Sequence, residues 1–323
     1  MSILKKFVIF LAILVVILPM GAYGYVWFKL KDMHDPNLQN DSLSNLDYKN
    51  EKGITNILLM GIDARPGETA SRSDAMMILT IDSVHKSIKL TSLARDSYVD
   101  IPGHGMQKLT HAYAYGKAEL LIKTIEQNFN IDLNYYATVD FESFMYIIDT
   151  VGGVKVNVKK GYIREMNKFI PETYKWNTNE NKGSIKYITT SGEQILNGYQ
   201  ALAFSRIRHN DTAFDRDGRQ REVMQSMLSS VKTLSLTKYP ELVNSVLPYV
   251  KTNMKPTEIM GMAMTVLQIG DFNIKQFEFP IDDGVNSKGG IYGSAGWVLR
   301  FDDDSLKYLH DFIFSDKEYK DNL

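Results

Sequence analysis

The 323-residue chain contains no cysteine, which excludes disulfide frameworks, thiolate metal sites and cysteine nucleophiles. Its 37 lysines and arginines nearly balance its 38 acidic residues, so it lacks the overall basic field that nucleic-acid-binding proteins show. The six histidines do not occur at metal-ligand spacing, and neither a P-loop nor a GxSxG motif is present. Any anion site must therefore be local, and no nucleic-acid partner is expected.

One long apolar run, Phe7 to Phe28, stands near the N-terminus. A run of about 20 apolar residues is long enough to span a bilayer. Small residues at positions 21–24 are weak candidates for signal-peptide cleavage, but aromatic residues continue beyond them and suit a membrane interface. We therefore expect an uncleaved transmembrane anchor at 7–28, with residues 1–6 in the cytoplasm and the rest of the chain outside it.

After the anchor, residues 29–52 are polar and rich in Asn and Asp, which predicts a linker. The folded domain is expected at 53–323. Its mixture of short apolar strands and amphipathic helices favours a layered α/β arrangement.

The predicted elements are short strands separated by helices. Strands are predicted at Ile54–Ile62, Ala75–Ile81, Ser87–Ala94, Val154–Val158, Asn273–Pro280 and within 289–300. Helices are predicted at Ala112–Phe129, Phe141–Val151, Ser191–Ala203, from Gln220 onward, and near 238–250, 256–268 and 304–314. The charged and aromatic residues 159–186 show no clear period and are interpreted as an insertion or a long loop.

Arginine is concentrated in one stretch: of ten arginines in the chain, five lie in Phe204–Glu222. The planar guanidinium binds phosphate or carboxylate through two parallel hydrogen bonds. In an extended segment Arg206 and Arg208 project from one face. Arg219 stands beside the helix predicted from Gln220, whose N-terminal N–H groups also attract anions. The stretch fits an anion site, and it fits equally a solvated surface of ion pairs with the acids nearby.

Acidic residues mark the ends of the predicted strands. Asp63 and the Arg95-Asp96 pair end two of them, and Asp74 begins the next. In open α/β sheets, ligand sites form where loops leave the carboxyl ends of strands. Three carboxylates close together need a compensating cation, and Mg²⁺ with its oxygen ligands suits that need. The alternative is that Asp63 and Asp74 cap turns and pair with nearby arginines.

Seven segments form a series whose order and spacing carry more information than any one of them. They are Asn56–Asp63 (NILLMGID), Ser71–Asp74 (SRSD), Ser92–Tyr98 (SLARDSY), Ile101–Tyr115 (IPGHGMQKLTHAYAY), Thr138–Gly153 (TVDFESFMYIIDTVGG), Ala201–Arg208 (ALAFSRIR) and Arg219–Arg221 (RQR). Over roughly 54–235, with the apolar N-terminal run, this series resembles the LytR-CpsA-Psr family. The extension 236–323 resembles that of shorter members in Lys251–Met254 (KTNM) and Gly290–Val298 (GIYGSAGWV).

This resemblance implies an α/β/α sandwich with a central mixed sheet, preceded by one transmembrane helix, and an apolar tunnel for a polyprenyl tail. It also implies a membrane-anchored phosphotransferase acting outside the cytoplasmic membrane. Members of the family move an anionic glycopolymer, such as wall teichoic acid or capsular polysaccharide, from a polyprenyl-pyrophosphate carrier to the 6-hydroxyl of N-acetylmuramic acid in peptidoglycan. The expected partners are therefore the lipid-linked glycopolymer, peptidoglycan and membrane lipid, and the expected cofactor is Mg²⁺ or Mn²⁺.

The resemblance also implies roles for individual residues. Asp63 and Asp74 match the family's metal ligands. The residues matching its pyrophosphate contacts are Arg72, Arg95, Arg206, Arg208, Arg216 and Gln220. Catalytic roles are expected for Arg95, Asp96, Arg208 and Asp215. Arginines and a divalent ion suit phosphoryl transfer, which depends mainly on positioning and charge neutralisation.

One position departs from the family pattern. Many members carry an Asp three residues before the arginine that corresponds to Arg216, and Ala213 stands there in this chain. That Asp is a candidate for activating the acceptor hydroxyl. Asp211 or Asp215 could replace it, or proton removal needs no such residue.

Two other functions are left open by the sequence. A polyprenyl-pyrophosphate hydrolase would use the same residues with water as the acceptor. An envelope sensor without catalytic activity would need no pyrophosphate site with a metal, so the retained arginines and aspartates argue against it.

Overall fold

The computed structural model describes residues 48–62, 73–207, 213–233, 250–270, 274–281 and 287–319. The predicted anchor, most of the linker and nearly all of the helix predicted near 238–250 lie outside these ranges. Within them, no helix combines the length and apolar character needed to cross a membrane.

Twelve strands and seven helices are named here in chain order from the described ranges. The strands are β1 (Ile54–Ile62), β2 (Ser73–Asp82), β3 (Ser87–Leu93), β4 (Tyr98–Ile101), β5 (Gly105–Lys108), β6 (Tyr135–Asp140), β7 (Val154–Val158), β8 (Gly192–Leu196), β9 (Lys251–Thr252), β10 (Ile274–Phe279), β11 (Ser287–Ile291) and β12 (Trp297–Phe301). The helices are α1 (Leu109–Phe129), α2 (Phe141–Thr150), α3 (Ile163–Trp176), α4 (Gly198–Ser205), α5 (Ala213–Thr233), α6 (Pro256–Ile269) and α7 (Asp303–Ser315).

The central sheet is mixed, as the family resemblance implies. Its strand order is β10-β3-β2-β1-β6-β9. β2 runs antiparallel to both β1 and β3, whereas β6 is parallel to β1 and β10 is parallel to β3. Every residue of β3 is buried, because both faces of the sheet are covered at that strand.

The two faces of the sheet bury alternate residues of each strand, as the pleat requires. On β1, Leu58 and Met60 join a large core with α1 and α7. Ile57 and Leu59 point to the opposite face, where a smaller cluster includes residues of α6. A third cluster is separate from the sheet and is enclosed by α2, α3, α4, part of α5 and the β7–β8 hairpin.

The large core is held by fully buried aromatic and aliphatic side chains. The Phe129 ring lies edge-on to Phe279 at 4.8 Å and to Phe301 at 5.5 Å between centroids. These contacts join α1 to β10 and β12. Each fully buried side chain of this kind contributes roughly 1.5–3 kcal/mol to stability.

A buried lysine ties the C-terminal helix to the sheet. The Lys89 ammonium on β3 donates to Asp82 Oδ2 at 2.6 Å and to the carbonyl of Ile313 in α7 at 2.8 Å. Its side chain has no exposed surface, so loss of either partner would leave a charge buried without full compensation.

The interpretation of 159–186 as a long loop is wrong, because α3 lies within it. The helix buries Met166, Ile170 and Thr173, which recur at helical spacing. Met166 and Ile170 pack into the third cluster, and Thr173 Oγ1 donates to a carbonyl of α4 at 2.8 Å. The aromatic and charged residues between them obscure this period in the sequence.

The helix predicted at Ser191–Ala203 begins later than expected. Residues Gly192–Leu196 form β8, which pairs antiparallel with β7. The helix starts at Gly198, where the Asn197 side chain accepts a hydrogen bond from the N–H of Gln200 at 3.1 Å. Asn197 is therefore the N-cap in place of Ser191.

A buried carboxyl group makes stability depend on pH. Glu126 in α1 is 1% exposed, and its Oε1 accepts a hydrogen bond from the N–H of Leu133 at 3.1 Å. Burial, with a smaller contribution from the nearby Asp132 carboxylate, raises the pKa of Glu126 from 4.5 to about 7.

We predict that Glu126→Gln will remove part of the pH dependence of the free energy of unfolding. Because the folded state holds this proton more tightly than the unfolded state, the parent protein loses roughly 3 kcal/mol as the pH rises from about 4.5 to about 7. A neutral glutamine does not titrate, so the variant avoids this loss. Its free energy of unfolding relative to that of the parent should therefore rise over this pH window and stay constant above it. Denaturant titrations at several pH values measure it. Glu119→Gln, on a more exposed part of α1, is the control, and an advantage independent of pH would contradict the prediction.

Candidate active site

Several strand ends meet at one edge of the central sheet. β1 ends at Ile62, which pairs with Ser73 at the start of β2 and with Asp140 at the end of β6. β3 ends at Leu93, which pairs with Phe279 at the end of β10. The expectation that Asp74 and the Arg95-Asp96 pair lie at one edge of the sheet is therefore confirmed. Asp63, next after Ile62, lies outside the described residues.

The loop that carries Arg95 and Asp96 is held by its backbone from three elements. The bonds run from Ala94 N to the Phe279 carbonyl (2.8 Å), from Leu299 N to the Asp96 carbonyl (2.9 Å), from Leu109 N to the Ser97 carbonyl (2.9 Å) and from Thr110 N to the Arg95 carbonyl (3.0 Å). β10, β12 and the start of α1 thus fix this loop. Its side chains are presented by a rigid backbone, which favours a preorganised site.

Arg95 links the two strand ends through its side chain. Its Nη1 donates to Asp74 Oδ1 at 2.7 Å, and its Nε lies 3.5 Å from Asp96 Oδ2. The ammonium of Lys108 lies 2.9 Å from Asp96 Oδ1 on the other side. Burial works against the charge on Arg95, but the two carboxylates outweigh it and the pKa of Arg95 is raised. The guanidinium therefore stays charged.

The N-terminal part of α5 brings more arginine to the same edge. The helix begins at Ala213, so the prediction that it opens at Gln220 is wrong, and Arg216 lies near its first turn. Arg216 and Gln220 are four residues apart and share one helix face. Asp215 is exposed in the first turn, where a carboxylate is favoured by the helix dipole.

Asp217 is buried among these arginines. It is 4% exposed, and its Oδ1 lies 3.4 Å from Arg216 Nη2. Burial raises the pKa of Asp217 to about 6, although the positive charges of Arg216, Arg221 and Arg95 act to lower it. The same electrostatic contacts place α5 next to the end of β3.

The site also contains buried donors without acceptors. Arg221 Nη2 lies 2.7 Å from Glu278 Oε2 on β10, but its Nη1 has no hydrogen-bond acceptor among the described residues. The same is true of Arg216 Nε within the part of the chain that the structure describes. Buried polar groups are nearly always paired, so this arrangement is suited to an anionic ligand.

Arg219 has a structural role instead. It is 3% exposed, and its Nε and Nη2 donate to the carbonyls of Phe204 (3.2 Å) and Ile207 (2.8 Å). Its guanidinium lies 5.0 Å from the ring centroid of Tyr162. It thereby satisfies carbonyl groups at the end of α4 and joins that helix to α5.

Arg206 is held in an aromatic cage. It follows α4 directly with φ −97° and ψ −1°, which is not an extended conformation, so the condition for Arg206 and Arg208 to project from one face is not met at this residue. Its guanidinium lies 4.7 Å from Trp176, 5.0 Å from Phe169 and 5.7 Å from Phe141, measured to the ring centroids. Its Nη1 donates to Glu172 Oε2 at 2.8 Å. The contacts of Arg206 shown here are thus with α2 and α3, and its role in pyrophosphate binding stays a prediction.

The structure brings together only part of the predicted site. Arg95, Asp96, Asp74 and Arg216 meet at the sheet edge, with Gln220 one turn further along α5. Arg72, Arg208 and Asp63 lie outside the described residues. No group of three or more His, Asp or Glu suited to a metal ion occurs within the described ranges, so the Mg²⁺ or Mn²⁺ site stays a prediction. The hard oxygen ligands of Asp74 and Asp96 fit such an ion chemically.

Sequence reasoning missed Lys108, Asp217 and Glu278. Glu278 reaches the site only because β10 pairs in parallel with β3, which places it opposite Ser92. Asp217 follows Arg216 directly in an arginine-rich stretch, a signal that was available but that predicts a surface ion pair equally well.

Comparison with known proteins identifies the family of this chain. A profile of the LytR_cpsA_psr family matches residues 21–306. The chain belongs to the LytR-CpsA-Psr family. A Bacillus anthracis relative, the polyisoprenyl-teichoic acid–peptidoglycan teichoic acid transferase TagU, is 35% identical over 272 residues, which cover 80% of this chain and 83% of TagU.

Solved structures of the LytR-CpsA-Psr family share the fold. TagT bound to LIIa-WTA aligns with a TM-score of 0.64 at 26% identity, covering 84% of this chain and 95% of that one. The family protein YwtF (TagT) with bound octaprenyl pyrophosphate lipid aligns with a TM-score of 0.61 at 25% identity, covering 84% and 93%. The mixed α/β fold that the resemblance implies is thus confirmed.

We predict that Arg219→Met will lower the free energy of unfolding by about 2–4 kcal/mol, because two carbonyls near the end of α4 lose their charged donor. Chemical denaturation measures the loss. Arg164→Met is the matched control, since that side chain is 83% exposed, and it should change stability by less than about 0.5 kcal/mol. Equal effects of the two substitutions would show that Arg219 does not hold α4 and α5 together.

Proposed function

We propose that this protein is a phosphotransferase that moves an anionic glycopolymer from a polyprenyl-pyrophosphate carrier to peptidoglycan. The observation that carries the proposal is that Arg216 and Arg221 each keep one buried guanidinium nitrogen, Nε and Nη1 respectively, without an acceptor among the described residues. Both arginines, with Arg95, lie near Asp217. A pyrophosphate supplies both the oxygen acceptors and the negative charge that such donors need. The name of TagU and the octaprenyl pyrophosphate bound in YwtF (TagT) support this choice of substrate.

The charges of the described site residues balance, so binding of a pyrophosphate needs further positive charge from residues outside the described ranges. The described cations of the site, Arg95, Lys108, Arg216 and Arg221, are matched by Asp74, Asp96, Asp217 and Glu278. In our proposal the surplus positive charge comes from Arg72 and Arg208. Asp63 and Asp74 would hold Mg²⁺, which supplies further neutralisation of phosphate charge.

The reaction needs one phosphorus–oxygen bond to form and one to break. The 6-hydroxyl oxygen of N-acetylmuramic acid attacks the phosphorus that bears the glycan, and the bond from that phosphorus to the bridging oxygen breaks. Polyprenyl phosphate leaves with the electron pair, and Arg95 and Arg208 stabilise the charge. The hydroxyl proton passes to a carboxylate. Asp215, exposed near the start of α5, is our candidate, and Asp211 is the alternative.

The polyprenyl tail needs an apolar surface, and α6 offers one. This helix is rich in methionine and aliphatic residues, yet Met264 is 57% and Leu267 is 63% exposed. Its half-buried Met262 packs against the same small cluster of the sheet as Leu59. We assign the tail to this incompletely covered layer, with the segment 7–28 as the membrane anchor and the domain on the extracytoplasmic side.

The test follows transfer by the full-length protein in detergent, with a synthetic polyprenyl-pyrophosphate glycan, Mg²⁺ and peptidoglycan oligomers. Mass spectrometry should detect the glycan joined to the oligomer through one phosphate. Arg216→Ala and Asp74→Asn should each lower the rate by about 10²–10³-fold, since each removes charge stabilisation at the reacting phosphate. The exposed Arg164→Ala should transfer at the parent rate.

The products separate the competing functions. Release of free glycan phosphate without coupling to the oligomer would show a hydrolase. Absence of turnover, despite tight binding of the pyrophosphate lipid, would indicate a sensor. Unchanged rates in Arg216→Ala and Asp74→Asn would place the chemistry elsewhere in the molecule.

A further inference from the structure

A buried carboxyl group lies among the arginines of the candidate active site. Asp217 on α5 is 4% exposed, and its Oδ1 lies 3.4 Å from Arg216 Nη2. The charges of Arg221, on the same helix, and of Arg95, in the loop after β3, also act on this carboxyl group. Asp217 therefore lies next to the same guanidinium groups that are suited to an anionic ligand.

Asp217 and the arginines beside it have buried hydrogen-bonding atoms without partners. Arg216 Nε and Arg221 Nη1 lack an acceptor among the described residues. Asp217 Oδ2 is also buried and forms no hydrogen bond within the part of the chain that the structure describes. Because buried polar atoms are nearly always paired, this oxygen needs a partner once a ligand occupies the site.

An ionised Asp217 and a pyrophosphate would compete for the same positive charge. Phosphate oxygens accept hydrogen bonds, and so do the oxygens of an ionised carboxylate, so no hydrogen bond forms between the two groups. Their like charges also repel each other. A proton on Asp217 removes both obstacles, because a neutral carboxyl group carries no charge and donates one hydrogen bond.

The described charges around Asp217 are already shared with other carboxylates. Arg95 contacts Asp74 and Asp96, and Arg221 contacts Glu278 on β10. These arginines therefore cannot neutralise an ionised Asp217 and a pyrophosphate together.

The other elements that pack against α5 add no charge near this carboxyl group. The sequence of α4 contains no charged residue, and Lys155 on β7 is exposed and lies 2.9 Å from Glu193 on β8. Burial already raises the pKa of Asp217 to about 6, although the nearby arginines act to lower it. An anion bound by the same arginines adds a like charge and raises this pKa further, past neutral pH.

We propose that Asp217 takes up one proton from solvent when a pyrophosphate binds, and that the neutral carboxyl group then donates a hydrogen bond from Oδ2 to a phosphate oxygen. The inference deepens the proposed function, on which it rests for the nature of the ligand. One O–H bond forms on Asp217, and the buffer supplies the proton. The substrate thus replaces the negative charge of Asp217 with its own.

Calorimetry counts the proton directly. The full-length protein in detergent with excess Mg²⁺ is titrated at pH 7 with a short-chain prenyl pyrophosphate that carries one sugar on its second phosphate. Both phosphates of this probe are esterified, so it lacks the phosphate ionisation near pH 6. Titrations in buffers of different ionisation enthalpy give the number of protons taken up, which should be about 0.4–0.9 per probe bound for a pKa raised by one to three units.

Asp217→Asn separates this role from a purely structural one, because the amide keeps the shape of the carboxyl group and a donor but does not ionise. In the parent, the apparent Kd should rise by up to about tenfold per pH unit above pH 6, since only the protonated site binds well. The variant should lose this dependence, take up no proton and bind the probe about tenfold tighter than the parent at pH 8. A purely structural Asp217 predicts the opposite, weaker binding by the variant at every pH, because the arginines lose a charged partner.

Glu193→Gln is the matched control, since it exchanges an acid for its amide at a side chain that is 70% exposed. Its proton uptake and affinity should equal those of the parent, and melting temperatures confirm that both variants fold. Difference infrared spectroscopy of the parent needs no variant, and binding of the probe should produce the band of a protonated carboxyl group. Absence of that band, absence of proton uptake by the parent, or equal uptake by Asp217→Asn would overturn the proposal.

Failure of this proposal can be told apart from failure of the proposed function, because transfer is measured separately. Transfer by the parent without proton uptake would keep the transferase and refute the role of Asp217. Proton uptake by Asp217 without transfer of the glycan would keep this role and refute the transferase. Absence of both probe binding and transfer would refute both.

Discussion

The site depends above all on the charged contacts of Arg95. Its guanidinium joins Asp74 at the start of β2 to Asp96 in the loop after β3, and its field reaches Asp217 on α5. The same loop is bonded through its backbone to β10, β12 and α1, so the backbone that carries Arg95 and Asp96 is held in place from three elements. A preorganised arrangement of this kind is what the stabilisation of phosphate charge requires.

The arginines of one short stretch serve different purposes. The guanidinium of Arg219 donates to two backbone carbonyls and joins α4 to α5. Arg216 and Arg221, on the same helix, lie at the sheet edge, and each has one buried nitrogen without an acceptor among the described residues. Arg206 is surrounded by Trp176, Phe169 and Phe141. Spacing along α5 does not decide these roles, because Arg216 and Arg219 are three residues apart and such positions are neighbours on a helix surface, yet the two side chains bond to different partners.

Helices and strands with a clear apolar period were predicted well, and those without one were not. β1, β7 and α2 agree with the sequence within a residue, because β1 is a short continuous apolar run, β7 alternates buried and exposed residues, and α2 buries residues at helical spacing. The helix α3 was missed because its buried residues Met166 and Ile170 stand among charged and half-buried aromatic side chains, which obscure the apolar period. β8 was taken for a helix because its pairing partner, β7, lies more than thirty residues earlier in the chain.

The sequence alone determined the class of the domain and the family resemblance, and with the resemblance it placed Asp74, Arg95 and Arg216 in one candidate site, since these depend on local period and on motifs read in order. Only the tertiary structure decided that Glu278 and Asp217 belong to the same site and that Arg219 is structural. The physical reason is that these relations arise from parallel strand pairing and packing between segments far apart in the chain, which no local pattern of residues encodes.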